Sequence, residues 1–126
     1  MKKAALAAML LAFIASLAYA GEQNVSFEAL KGRWLRPDGG YIIEIKNVST
    51  GGVMDAAYFN PKPINIEKAV AKKENGAIKV FIKLRDVGYP GSTYDLVYDA
   101  KKDLLIGAYY QAAIRQTYDI YFKRIK

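Results

Sequence analysis

From residue 32 onward the chain alternates apolar and polar side chains with a period of two, in short stretches separated by turn residues. The alternation is clearest at Tyr41-Ile43-Ile45 and at Ile78-Val80-Ile82-Leu84, the latter set against Lys79, Lys83 and Arg85. It returns at Tyr118-Ile120-Phe122, set against Thr117, Asp119 and Lys123. Successive strand side chains point to opposite faces, so each stretch reads as a strand with one apolar face. Eight strands are expected, over 32–36, 41–48, 53–59, 64–73, 77–85, 93–99, 104–110 and 116–124. Helix is expected only as a single turn over 26–31, with Ser26 as its cap.

The connections carry turn chemistry. Asn75-Gly76 joins two alternating runs, and both residues tolerate the positive φ of a type I′ hairpin turn. Pro37-Asp38-Gly39-Gly40 and Thr50-Gly51-Gly52 are expected as turns, and Tyr89-Pro90-Gly91-Ser92 as a type II turn. Short connectors make sequential neighbours pair antiparallel. The expected fold is therefore all-β, an eight-stranded antiparallel up-and-down meander, and closing it into a barrel removes the exposed edges.

The first 20 residues break this pattern: Lys2 and Lys3, an uncharged apolar run from Ala4 to Leu17, then Ala18-Tyr19-Ala20 before Gly21. That order is expected of a secretory signal peptide cleaved after Ala20. The domain organisation is then a signal peptide over 1–20 and a single barrel domain over 21–126, exported to the periplasm or secreted. The apolar run is shorter than the roughly 20 residues a bilayer span needs, so no membrane span is expected. Removing the leader leaves 17 basic and 12 acidic side chains, a net charge of +5. So modest a balance does not suggest nucleic acid; it suits anionic envelope material or plain surface solubility.

Two absences narrow the chemistry. Without cysteine the domain has no disulfides, so its core must suffice. Without histidine it lacks the Ser-His and Cys-His nucleophile systems, the commonest general base and the commonest zinc ligand. No catalytic residue, metal site or cofactor is expected. Any enzyme here would have to run on carboxylates, lysine or tyrosine; a carboxylate pair drawn from Glu44, Asp55, Asp86 and Asp119 is the enzymatic alternative, and scattered acids on solvent faces support it poorly.

Gly32-Arg33-Trp34 on the first strand, with Arg124 on the last, resembles the pairing found in the calycin superfamily of lipocalins, fatty-acid-binding proteins and avidins. The resemblance implies that Trp34 plugs one barrel end while Arg124 packs over its indole, and that Gly32, Trp34 and Arg124 are structural. It further implies that the other barrel end is an open mouth. The chain departs from lipocalins in lacking a segment for their C-terminal helix, and from fatty-acid-binding proteins in lacking a helical lid. It departs from avidins in having a single tryptophan and in Arg36-Pro37-Asp38-Gly39, so biotin binding is not carried over.

In a meander alternate connections lie at alternate ends. One end gathers Ser49-Thr50-Gly51-Gly52, Glu74-Asn75-Gly76 and Ala100-Lys101-Lys102-Asp103. The other gathers the 36–40, 60–63, 86–92 and 111–115 connections, which are longer and mix aromatic, amide and charged groups. Binding groups concentrate on loops of a rigid scaffold, so the site is expected there. Its expected ligand-binding residues are Arg36, Asp38, Tyr58, Asn60, Tyr89, Tyr94, Tyr109 and Arg115. Tyr58, Tyr94, Tyr98, Tyr109 and Tyr118 are expected to line the interior among Ile43, Ile82, Leu84, Leu96 and Phe122. Such a lining suits a small amphipathic ligand, steered by Arg36, Lys62 and Arg115 where it is anionic. The alternative is a barrel filled by its own side chains, with no ligand, serving as an envelope protein-interaction or inhibitor module that uses Tyr89-Pro90-Gly91 as a rigid protrusion. The oligomeric state is open.

Overall fold

A computed structural model describes residues 25–126. The expected signal peptide lies outside the described residues. A 3-10 turn, Phe27–Leu30, opens the fold, with the Ser26 hydroxyl accepting from the Glu28 amide at 3.2 Å. Nine strands follow: β1 Gly32–Arg36, β2 Tyr41–Val48, β3 Met54–Phe59, β4 Pro63–Ile64, β5 Ile66–Glu74, β6 Ala77–Asp86, β7 Tyr89–Asp99, β8 Leu104–Gln111 and β9 Gln116–Ile125. They form one antiparallel sheet in the order β4-β3-β2-β1-β9-β8-β7-β6-β5, in which every chain-neighbour pair except β4 and β5 is hydrogen-bonded and β1 pairs with β9.

The sheet curls into a nearly closed barrel. Its two ends meet where Val53 bridges Val70 and the Ala71 amide donates to the Gly52 carbonyl at 2.7 Å. Among the described residues no helix is long and apolar enough to cross a membrane.

Nine strands replace the expected eight because the segment expected as one strand over 64–73 divides at Asn65. Pro63 and Ile64 pair with Phe59 and Tyr58 of β3, whereas Ile66 onward pairs with β6. The Asn65 side chain donates to the Asp86 carboxylate at 2.7 Å, and its carbonyl accepts from the Arg85 amide at 2.9 Å, which fixes the crossing point. A bulge between Ile66 and Lys68 then resets the phase, so that Ala69 and Ala71 face inward.

The second correction concerns Tyr89-Pro90-Gly91-Ser92, which is not a turn. The chain reverses two residues earlier, at Val87-Gly88, and all four residues belong to β7. Between the Arg85–Pro90 and Lys83–Thr93 pairs, β7 has one residue more than β6, and Gly91 at φ 83° takes up the excess as a bulge. Proline is tolerated at such a strand start, so the same dipeptide that marks a turn marks a bulge here. The rigid protrusion expected from Tyr89-Pro90-Gly91 is thus absorbed into the sheet, and the exposed tip is Val87. Asn75 and Gly76, at φ 53° and 80°, have the left-handed geometry of the type I′ turn.

Inward positions form one core. Leu30, Trp34, Ile43, Ile82, Leu84, Tyr94, Leu105 and Phe122 are fully buried, with Ile45, Tyr58, Ile78, Val80 and Leu96 nearly so. Tyr118 was expected among the interior residues, but it keeps 40% of its surface exposed. It follows Gln116 and Thr117 at the start of β9, so its inward-facing ring lies at the rim rather than inside.

One barrel end is sealed. The Trp34 indole donates to the Leu30 carbonyl at 2.9 Å, and the Arg124 guanidinium lies 4.3 Å from the indole ring. Arg124 also donates to the Lys31 and Ala29 carbonyls, each at 2.6 Å, and to both Asp103 oxygens at 2.7 and 3.0 Å. This one side chain ties the 3-10 turn, the β7–β8 connection and the last strand together. Gly32 explains itself here: at φ 134° it is unsuited to a side chain, and a Cβ would fall 2.7 Å from the Arg124 guanidinium.

Candidate functional site

The opposite end holds a second arginine in a different setting. Arg36 is the last residue of β1, inward by the phase that buries Trp34, and only 8% exposed. The turn that follows brings Asp38 back beside it: Arg36 Nε donates to Asp38 Oδ1 at 2.6 Å and Nη2 to Oδ2 at 3.2 Å. Its Nη1 donates to the Tyr94 hydroxyl at 2.9 Å, which shares a 2.7 Å hydrogen bond with the Tyr58 hydroxyl. The guanidinium lies between two rings, 4.8 Å from the Tyr41 centroid and 5.1 Å from that of Tyr109.

The aromatic stacking continues on both sides. Tyr41 stacks on Tyr58 at 6.0 Å, Tyr109 on Tyr94 at 4.6 Å and on Tyr118 at 6.4 Å. Register sets this column, because Tyr94, Tyr109 and Tyr118 are directly paired across β7, β8 and β9. Each ring lies one strand from the next, within reach of its neighbour.

Electrostatics follow the packing. Burial disfavours the Arg36 charge, but the hydrogen bonds to Asp38 and Tyr94 outweigh it and hold the guanidinium protonated. The Arg36 hydrogen bond lowers the Asp38 carboxyl below its ordinary value. Burial pushes the Tyr94 phenol up to about 12, against the opposing effect of Tyr58 and Arg36, and raises Tyr58 and Tyr109 as well. The phenols therefore stay neutral and serve as hydrogen-bonding groups.

Above this plug lies a cleft of about 250 Å³, lined by Arg36, Tyr41, Gly88, Tyr89, Tyr109, Gln111 and Tyr118. The Asn60 amide donates to the Tyr89 hydroxyl at its edge, and the buried Ser92 hydroxyl accepts from the Ala112 amide at 3.1 Å, anchoring the β8–β9 turn. No family model, curated protein or solved structure matches this chain.

The eight expected site residues separate into four groups. Arg36, Tyr89 and Tyr109 line the cleft, and Asn60 and Asp38 touch liners from the side. Tyr58 and Tyr94 lie beneath it, 1% and 0% exposed, packed against other rings and out of reach of a ligand. Arg115 sits exposed in the β8–β9 turn at φ 52°, outside the lining. At the level where a tyrosine-lined cavity was expected, the rings of Tyr58, Tyr94 and Tyr109 pack on one another and the Arg36 guanidinium lies over Tyr109.

Tyr41 and Gln111 were not among the expected site residues, and Tyr118 was expected deeper, in the interior lining; all three line the cleft. Strand phase carried the signal. Tyr41 is two residues before the inward Ile43, Gln111 two after the inward Tyr109, and Tyr118 two before the inward Ile120, each at a mouth-side strand end. Among the described residues no group of three His, Cys, Asp or Glu side chains could hold a metal ion.

Proposed function

We propose that this protein is an exported, calycin-like barrel that recognises a small ligand at its mouth, on the surface cleft above the Arg36 plug rather than inside the barrel. The observation that carries the reading is the contrast between the sealed interior and an open cleft whose liners combine ring faces with hydroxyl and amide groups. Pockets for drug-sized ligands run to roughly 300–1,000 Å³, so a cleft of about 250 Å³ fits one small group and not an acyl chain. An amphipathic ligand would rest its apolar part on tyrosine and direct its polar groups to Tyr89 and Gln111.

The anion-steering role first expected of Arg36 is not retained, because Asp38 already neutralises it at two nitrogens. Thermal shift of the full-length protein against a metabolite panel tests the reading. A ligand at about 100 times its Kd should stabilise the fold by roughly 2.7 kcal/mol. Asn75→Ala at the opposite end should leave that stabilisation intact, whereas Gln111→Ala should reduce it. A panel without a single stabilising compound would favour the protein-interaction alternative.

A further inference from the structure

The mouth cleft has a composition that narrows its ligand further. Arg36 is the one charged residue among its liners, and its charge is matched by Asp38, which pairs with it from outside the lining. A free carboxylate or phosphate finds no uncommitted cation in the lining, and a cationic ligand meets a guanidinium already sitting in the aromatic slot between Tyr41 and Tyr109. A long apolar ligand finds no opening between Tyr58, Tyr94 and Tyr109.

What remains available is one aromatic platform and a set of neutral hydrogen-bonding groups. Tyr118 lines the cleft with 40% of its surface exposed, held parallel to within 20° by the Tyr109 ring. Gln111 offers a carboxamide, which both donates and accepts, and Tyr89, whose hydroxyl already accepts from Asn60, offers its O–H as a donor. A flat heteroaromatic ring is best held between two faces, and the two-faced slot is filled by Arg36. A saturated ring with one C–H face and hydroxyls around its edge needs a single platform and mixed donors and acceptors.

Resting on the mouth reading above, we infer that the cleft binds one neutral sugar ring, stacked on Tyr118 and hydrogen-bonded to Gln111 and Tyr89. The ring is the terminal or exposed unit of a glycan, since the cleft is open and too small for more than one. Tyr118 supplies the platform, Tyr109 fixes its orientation, and the Arg36–Asp38 pair holds Tyr109 and Tyr41 apart without offering net charge.

Saturation-transfer NMR on the full chain, with neutral methyl glycosides, nucleosides and short fatty acids as separate probes, tests this. Methyl glycosides should show saturable transfer through their ring C–H protons. Tyr118→Ala should weaken that binding about fivefold to tenfold, the loss expected for one ring contact, while Tyr118→Phe should keep most of it. If nucleosides or fatty acids bind and lose affinity in Tyr118→Ala while glycosides do not bind, the sugar assignment is overturned and the mouth reading stands. If no probe binds, or if binding is indifferent to Tyr118, both are overturned.

Discussion

Both ends of this barrel are built around an inward arginine from the paired first and last strands, yet the two arginines do opposite things. Arg124 donates to two backbone carbonyls and a carboxylate while covering the Trp34 indole, so its contacts run back into the fold. Arg36 touches no backbone carbonyl among its hydrogen bonds; it is held by Asp38 and Tyr94 and sandwiched by Tyr41 and Tyr109. The first arrangement seals, joining the 3-10 turn to the last strand. The second fills, leaving a shallow polar cleft above it. An arginine whose donors end on backbone stabilises the chain path, and one whose neighbours are all side chains shapes a surface.

The largest expected effect lies at the sealed end. Trp34→Ala should cost roughly 3–5 kcal/mol in chemical denaturation, as for other buried aromatic truncations. Combined with Arg124→Ala, it should show a coupling energy of at least about 0.5 kcal/mol in a double-mutant cycle. Strict additivity would mean that the stacked contact at 4.3 Å carries no energy.

At the mouth the expected loss is smaller. Arg36→Ala removes a cation between two rings and three hydrogen bonds, but Asp38 stays 56% exposed and can rehydrate. A cost on the order of 2 kcal/mol follows. A larger loss than for Trp34→Ala would invert the comparison. Tyr94→Phe sharpens it, since deleting one hydroxyl leaves the buried Tyr58 hydroxyl and Arg36 Nη1 each short of a partner, at about 1–3 kcal/mol.

The smallest effect is on acid stability. The Arg124 and Arg36 hydrogen bonds hold Asp103 and Asp38, respectively, below the ordinary carboxylate value. A carboxyl with a depressed folded-state pKa contributes stability that is complete above its unfolded value, about 3.9, and is lost as pH falls through the folded value. Unfolding midpoints should therefore decline below about pH 4, and Asp103→Asn and Asp38→Asn should each flatten that decline. Glu74, held at about 2 by Lys79 and Lys72, adds a loss of the same sign in every variant.

Alternation alone was enough to place Trp34, Ile43, Ile82, Leu84, Leu96 and Phe122 inside, and turn composition was enough to separate the two ends. Those features are local. The division at Asn65 was not legible, because the apolar residues on either side of it continue a strand pattern and only the sheet decides that Ile64 pairs with β3 and Ile66 with β6. The Pro90-Gly91 bulge was misread as a turn because both structures ask for the same residues. Whether tyrosines line a space or fill it depends on how their rings meet across several strands, which no window of sequence contains. Asp38, two residues from Arg36, was visible as a neighbour but not as the group that consumes its charge.

The central claim is that the interior is closed and recognition is confined to the mouth. Amide chemical-shift mapping of the wild-type protein, titrated with a mixture of small neutral ring compounds, tests it most directly. The account predicts saturable shifts at Tyr89, Gln111 and Tyr118 with Leu96, Leu105 and Asp103 unmoved. Shifts centred on Leu96 and Leu105 would show a ligand entering the barrel, and shifts at Asp103 would put recognition at the sealed end; either result would contradict it.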